Sequence, residues 1–231
     1  MPTVLRGALP SPRHRLAAAM PHQITTQAPP QFLWKPAQLS MWGNDVNGDC
    51  VTAEEAFAKG CAAPAVFITD AEVIAWATAN GVLNGADLDQ VIGLMQSGGF
   101  VLESNTYDDG PGNSVDWTNE EVLQNAISLG PVKTGIAANQ VEAVYQTNPI
   151  TGWVATGFTQ DSDEDHCVSL CGYGPAGWLA AELSFTLLGE LDPSAMFYAM
   201  FTWNSIGLID HASLLAICGE AWLRQPTTVT R

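Results

Sequence analysis

The segment Asn44-Asp45-Val46-Asn47-Gly48-Asp49-Cys50-Val51-Thr52-Ala53-Glu54-Glu55 carries two chemistries that exclude each other. Alternating oxygens at Asp45, Asn47 and Asp49 suit a hard cation such as calcium, held by ligands at positions 1, 3 and 5 of a loop. Cys50 instead begins a helical pattern, where the positive end of the helix dipole stabilises a thiolate nucleophile. The calcium pattern requires Gly at position 6 and a bidentate carboxylate at position 12; this chain has Cys50 and Ala56 there, with Glu54 and Glu55 out of register. The run Asp161-Ser162-Asp163-Glu164-Asp165 likewise has His166 in place of the glycine and reads as a solvated loop. Zinc would draw on Cys167, Cys171, Cys218, His166 and His211. Cys167 and Cys171 lie four apart on a predicted strand, too far for a metal knuckle. Neither a metal nor a cofactor is expected.

The elements that must position these groups fall into two halves. Helical patterns run over Val51 to Lys59, Asp70 to Thr78 and Asp87 to Gln96, the last spacing Leu88, Val91, Ile92 and Met95 at helical intervals. Thr118-Asn119-Glu120-Glu121 reads as a capping box opening a helix that closes at Gly130. Strands are predicted over Val132 to Ala137, Trp153 to Phe158, His166 to Cys171 and Phe197 to Trp203, then a last helix from about Asp210 to Trp222 and a polar tail. The expectation is an α+β protein of two lobes with a cleft between them.

Composition narrows the function classes. The 231 residues are 47% hydrophobic and 14% charged, enough for a sizeable core. No apolar run approaches the roughly 20 residues of a membrane span. Residues 1–44 carry a charge of +4 and the remainder −20. A body so acidic repels nucleic acid and anionic membranes, so neither is an expected partner. The arm, residues 1–29, is cationic and proline-interrupted, without the apolar core of a signal peptide. It is expected to dock on its own acidic body or mediate self-association. Five cysteines in no framework spacing indicate free thiols, a reducing environment and a cytoplasmic or particle-associated location.

From Pro30 to Gly207 the chain resembles the papain-like cysteine peptidases, through motifs in the family's order. Pro30, Trp34 and Asn44 precede Cys50 as the family's proline, tryptophan and amide precede its nucleophile. Asn84-Gly85, Gly98-Gly99 and Thr106-Tyr107-Asp108-Asp109-Gly110 resemble its glycine-rich stretch, and Gly130-Pro131-Val132 its Gly-Pro-Val strand. Asp165-His166-Cys167-Val168 with Gly172-Tyr173-Gly174 is similar to His-Ala-Val…Gly-Tyr-Gly, and Asn204-Ser205-Ile206-Gly207 to Asn-Ser-Trp-Gly.

The resemblance implies a helical first lobe, about 45–129, and a β-barrel-like second lobe, about 130–207, within a domain of 30–231 that ends in a C-terminal helix, about 210–223. It also implies a hydrolase of peptide or amide bonds acting on a peptide or protein substrate. Cys50 would be nucleophile, His166 its proton-transfer partner and Asn204 the residue orienting the ring, while the Asn44 side chain and the Cys50 amide would form an oxyanion hole. Asn204 before Ser and Gly also fits a simple turn.

The chain departs from the pattern at Asn44, where the family has the longer Gln, and at Asp49, where a small neutral residue is usual. Val51 and Ile206 stand for tryptophans, and the family's disulfide cysteines are absent. Asp49 and Glu54 are both expected to oppose thiolate formation. About 29 residues precede Pro30, short for an inhibitory pro-segment. These departures also suit a catalytically weak or inactive papain-fold subunit of a larger assembly, such as a particle surface protein.

Overall fold

The structure, a computed structural model, describes residues 4–62, 64–187 and 191–224, with the backbone of 228–230. Its helices are α1 (Arg13–Ala18), α2 (Cys50–Cys61), α3 (Asp70–Ala79), α4 (Leu88–Ser97), α5 (Glu120–Leu129), α6 (Asn139–Thr147), α7 (Ala176–Leu183) and α8 (His211–Ile217).

Their starts follow from local side-chain chemistry. Thr69 and Glu72 form a reciprocal capping box at α3. Asp87 and Asp210 cap α4 and α8 by accepting from Gln90 and Ser213 N–H. At α5 the cap lies one residue later than the sequence suggests. The Asn119 carboxamide accepts from Glu121 and Val122 N–H, while the Thr118 hydroxyl turns back to Asp116. Helix α2 differs from the others because ten of its twelve residues are buried. A helix enclosed on all sides is the centre of a core rather than a surface element.

Behind α2 runs a mixed sheet in the order Gly112–Ser114, Cys218–Arg224, Val132–Ile136, His166–Pro175, Met196–Thr202, Ser205–Ile209 and Val154–Ala155. Phe32–Leu33 pairs with His166–Pro175 off this path. The second lobe therefore differs from the barrel-like expectation. Among the described strands the outer two, Gly112–Ser114 and Val154–Ala155, do not pair with each other, and the sheet stays open. The expected terminal helix is corrected too. Helix α8 stops at Ile217 and the chain continues extended as Cys218–Arg224, antiparallel to Val132–Ile136. The apolar residues of this stretch fit either period, and pairing in the interior selects the strand. The Trp153 to Phe158 run is paired only at Val154–Ala155.

One core packs α2, α3 and α4 against the sheet, and another lies among α5, α6, α8 and the opposite sheet face. Between α2 and the sheet sits a buried ionic network. Lys133 Nζ reaches Glu55 at 2.6 Å, Glu54 at 3.0 Å and the Val51 carbonyl at 2.7 Å. Arg224, at the end of the strand Cys218–Arg224, bonds both glutamates and the Pro131 carbonyl. Lys59 pairs with Asp109 on the same helix's far end. Burial alone would raise Glu55, but Arg224, Lys133 and Lys59 outweigh it and hold the carboxyl well below its usual range. This network binds the helix carrying Cys50 to the sheet carrying His166.

Candidate active site

Cys50 opens α2, with Asp49 as its N-cap and the Asp49 carbonyl accepting from Thr52 and Ala53 N–H. His166 opens the strand His166–Pro175, opposite Ile136. The Cys50 sulfur lies against the backbone amide of Cys167, the residue after His166, and no hydrogen bond joins that sulfur to the His166 ring among the described residues. Both are buried, at 2% and 1% exposure.

Three contacts fix the imidazole. Nε2 lies 2.7 Å from the Thr202 hydroxyl oxygen. One ring face stacks on Trp203 at 4.4 Å, 22° from parallel. Nδ1 has no hydrogen-bond partner among the described residues. The place expected for Asn204 is thus held by Thr202, at the end of the strand Met196–Thr202. Asn204 is exposed, in a two-residue hairpin between paired Thr202 and Ser205. Trp203 and Asn204 both have positive φ, 44° and 61°, as a type I′ turn requires. That backbone carries the Asn204 side chain to the surface, where with Met41, Asp45, Val46, Tyr145, Pro149 and Trp203 it lines a cavity of about 400 Å³. A two-residue Trp-Asn turn between β-rich runs was the signal available in the sequence.

Asn44, 3% exposed, donates from Nδ2 to the carbonyls of Leu5 and Asn47, each at 3.1 Å. The Leu5 carbonyl also accepts from Trp203 Nε1 at 3.2 Å, and Leu5 N–H donates to the Asn44 carbonyl. Ala86 N–H donates to the Gly7 carbonyl, and Ala8 N–H to the Asp165 carbonyl. The Gly7 amide faces the Cys50 sulfur. Residues 5–8 of the arm therefore bridge the two halves across Cys50, passing so close to Gly48 that a Cβ on Gly7 would lie 1.8 Å from its carbonyl oxygen. Arg6 pairs with Glu142 and Asp165, and Arg15 with Asp89, on this chain's own body. Nothing in the cationic composition of residues 1–29 indicated this cleft.

Electrostatically the site is neutral. Burial pushes the Cys50 thiol up to about 11; the Cys167 and Gly7 amides pull the other way, Asp49 adds to the rise and Lys133 opposes it. Burial, then the Arg6 charge, pushes His166 down to about 3. Burial raises Asp49 to about 8, with Asp45 and Asp70 adding to it, and neither of its carboxyl oxygens has a hydrogen-bond partner among the described residues. Glu54 does not act on the thiol as expected, because Lys133 and Arg224 neutralise it.

The calcium-like run does not form a cage either. Asp45 is exposed and Asp49 is buried, so the two do not face one centre, and Asn47 Nδ2 donates to the Gly43 carbonyl. Among the described residues no group of three His, Cys, Asp or Glu could hold a metal ion.

The chain has the fold of the papain-like cysteine proteases. Xylellain, a cysteine protease from Xylella fastidiosa, matches with a TM-score of 0.68 and 12% identity over 97% of each chain. The proform of Amb a 11, a cysteine protease and major ragweed pollen allergen, matches at 0.62 and 14% identity over 87% of this chain. This chain spans 66% of the length of that proform. Digestive procathepsin L 3 of Tenebrio molitor larval midgut matches at 0.63 and 14%, covering 90% of this chain and 73% of that one. At such identities the likeness is one of fold. No family model and no curated protein matches the chain.

Proposed function

We propose that this protein is a cysteine peptidase-like hydrolase of peptide or amide bonds, held latent by its own N-terminal arm. The observation that carries the reading is the Cys50 sulfur at the first turn of a buried helix, against the strand that begins with His166, whose Nδ1 is unpartnered. His166 takes the Cys50 proton; the thiolate attacks the substrate carbonyl carbon, and the C–N bond breaks as the imidazolium returns the proton to the leaving amine. Water then hydrolyses the thioester. Thr202 holds the ring, and Asn44 Nδ2 with the Cys50 amide receives the oxyanion, in the place Leu5 gives its carbonyl to Asn44 now.

Burial is the leading cause of both perturbed ionisations, and the arm supplies part of it. Lifting residues 5–8 admits water and removes Arg6 from beside His166, so the thiol falls and the imidazole rises toward a usable pair. The second reading, an inert papain-fold subunit, draws on the neutral pair as it stands.

Labelling the full chain with iodoacetamide and with a thiol epoxide across pH separates the two. A hydrolase gives slow labelling in the wild type, and labelling at mildly acidic pH once Gly7→Ala displaces the arm, lost again on His166→Ala. Labelling only above about pH 8 in the displaced form leaves the inert subunit.

A further inference from the structure

Arg6 is the one charged side chain on the segment crossing Cys50, and it enters a receptor built from three separate groups. Its Nη1 donates to Asp165 Oδ2 at 2.6 Å and to Asn139 Oδ1 at 2.8 Å, and its Nη2 pairs with Glu142. The side chain is 22% exposed. The receptor is organised by the fold rather than by the arginine. Ala138 N–H holds Asp165 Oδ1 at 3.0 Å, leaving Oδ2 to face Arg6. Asn139 and Glu142 stand three apart at the start of α6, on one face of the helix. The backbone on either side of Arg6 is held by main chain at Gly7 and Ala8, and by Asn44 and Trp203 at Leu5. Those bonds would hold any peptide backbone, so side-chain choice rests on this receptor. A planar guanidinium satisfies two carboxylates and a carboxamide together, which the single point charge of lysine does less well. His166, with its free Nδ1, lies within the electrostatic reach of the same guanidinium.

We infer that Asp165, Glu142 and Asn139 form an arginine-recognition pocket beside Cys50, which Arg6 fills in cis and which selects peptide substrates carrying arginine at the residue spanning the thiol. This rests on the cleft being a peptide site, so the test reads binding and not turnover.

The full-length double variant Arg6→Ala, Gly7→Ala, checked for folding by thermal unfolding, is titrated calorimetrically with acetyl-Val-Leu-Arg-Gly-Ala-amide and with the same peptide bearing norleucine or Glu for Arg. The arginine peptide is expected to bind at least about tenfold tighter, to slow Cys50 alkylation, and to lose its advantage when Glu142→Gln is added. Equal binding of the three peptides, or a preference that survives Glu142→Gln, overturns the pocket. A charge exchange in the intact chain gives an independent check. Arg6→Glu and Glu142→Arg should each speed Cys50 alkylation, and the double variant should restore the slow rate. Single variants that label as slowly as wild type overturn the proposal as well. Arginine-selective binding without hydrolysis leaves the pocket standing and counts against the hydrolase reading; hydrolysis indifferent to arginine does the reverse.

Discussion

The Thr202 hydroxyl lies 2.7 Å from His166 Nε2, while Asn204, two residues on, turns to the surface. Thr202→Val keeps the shape and removes the partner, leaving a ring nitrogen buried and unsatisfied. The expected loss is about 1–3 kcal/mol in thermal or denaturant unfolding, with a shift of the His166 ring resonances. Thr202→Ser should recover most of both. Asn204→Gly suits the positive φ and should change stability by no more than about 0.5 kcal/mol, without moving those resonances.

Gly7 and Gly48 touch backbone to backbone, with no room for a methyl group. Gly7→Ala should therefore lift the arm from Cys50 without touching any group proposed for the chemistry. In the wild type, thiol alkylation should climb toward the thiol's raised value of about 11. In Gly7→Ala the profile should move to lower pH and the rate near neutrality should rise at least about tenfold. Unchanged kinetics would mean that the arm does not control access to the sulfur.

Lys133 is compensated on every side by Glu54, Glu55 and the Val51 carbonyl. Lys133→Met leaves two buried glutamates with Arg224 as their remaining contact cation. A loss of about 3–5 kcal/mol is expected, read as a fall in the denaturant midpoint. Because the same network seats α2 on the sheet, Cys50 labelling should quicken in parallel.

Stability should depend on pH in two limbs. Asp49, raised mainly by burial to about 8, and Glu164, raised by burial and then by Glu220 to about 9, hold extra protons when folded. Their contribution is complete below their unfolded values near 4 and is lost as pH climbs through 8 to 9. Glu55, depressed by Arg224 and Lys133 against its burial, acts oppositely and loses its contribution as pH falls below about 4.5. Unfolding followed over pH 3–10 should thus give a maximum on the acidic side of neutrality. Asp49→Asn should flatten the alkaline limb.

What the sequence determined by itself is local. The helix from Cys50, the strand from His166 and the caps at Asp87 and Asp210 follow from periodicity and short-range hydrogen bonding, which few neighbours decide, while the order of the papain-like motifs is a resemblance read along the chain. The partner of His166 could not be read that way. Thr202 and Asn204 lie two residues apart, and only the hairpin's positive φ values decide which one faces the ring. The terminal strand was equally hidden, since its apolar residues fit two periods until Val132–Ile136 offered hydrogen bonds. Glu54 seemed to oppose the thiolate until Lys133 and Arg224, some 80 and 170 positions away, came to neutralise it. The arm showed its charge in the sequence but not its seat, because the carboxylates that receive Arg6 come together only when the start of α6 meets Asp165. Hydrogen-bond geometry and charge pairing act over about 3 Å in space without regard to separation along the chain, so these choices belong to the tertiary structure.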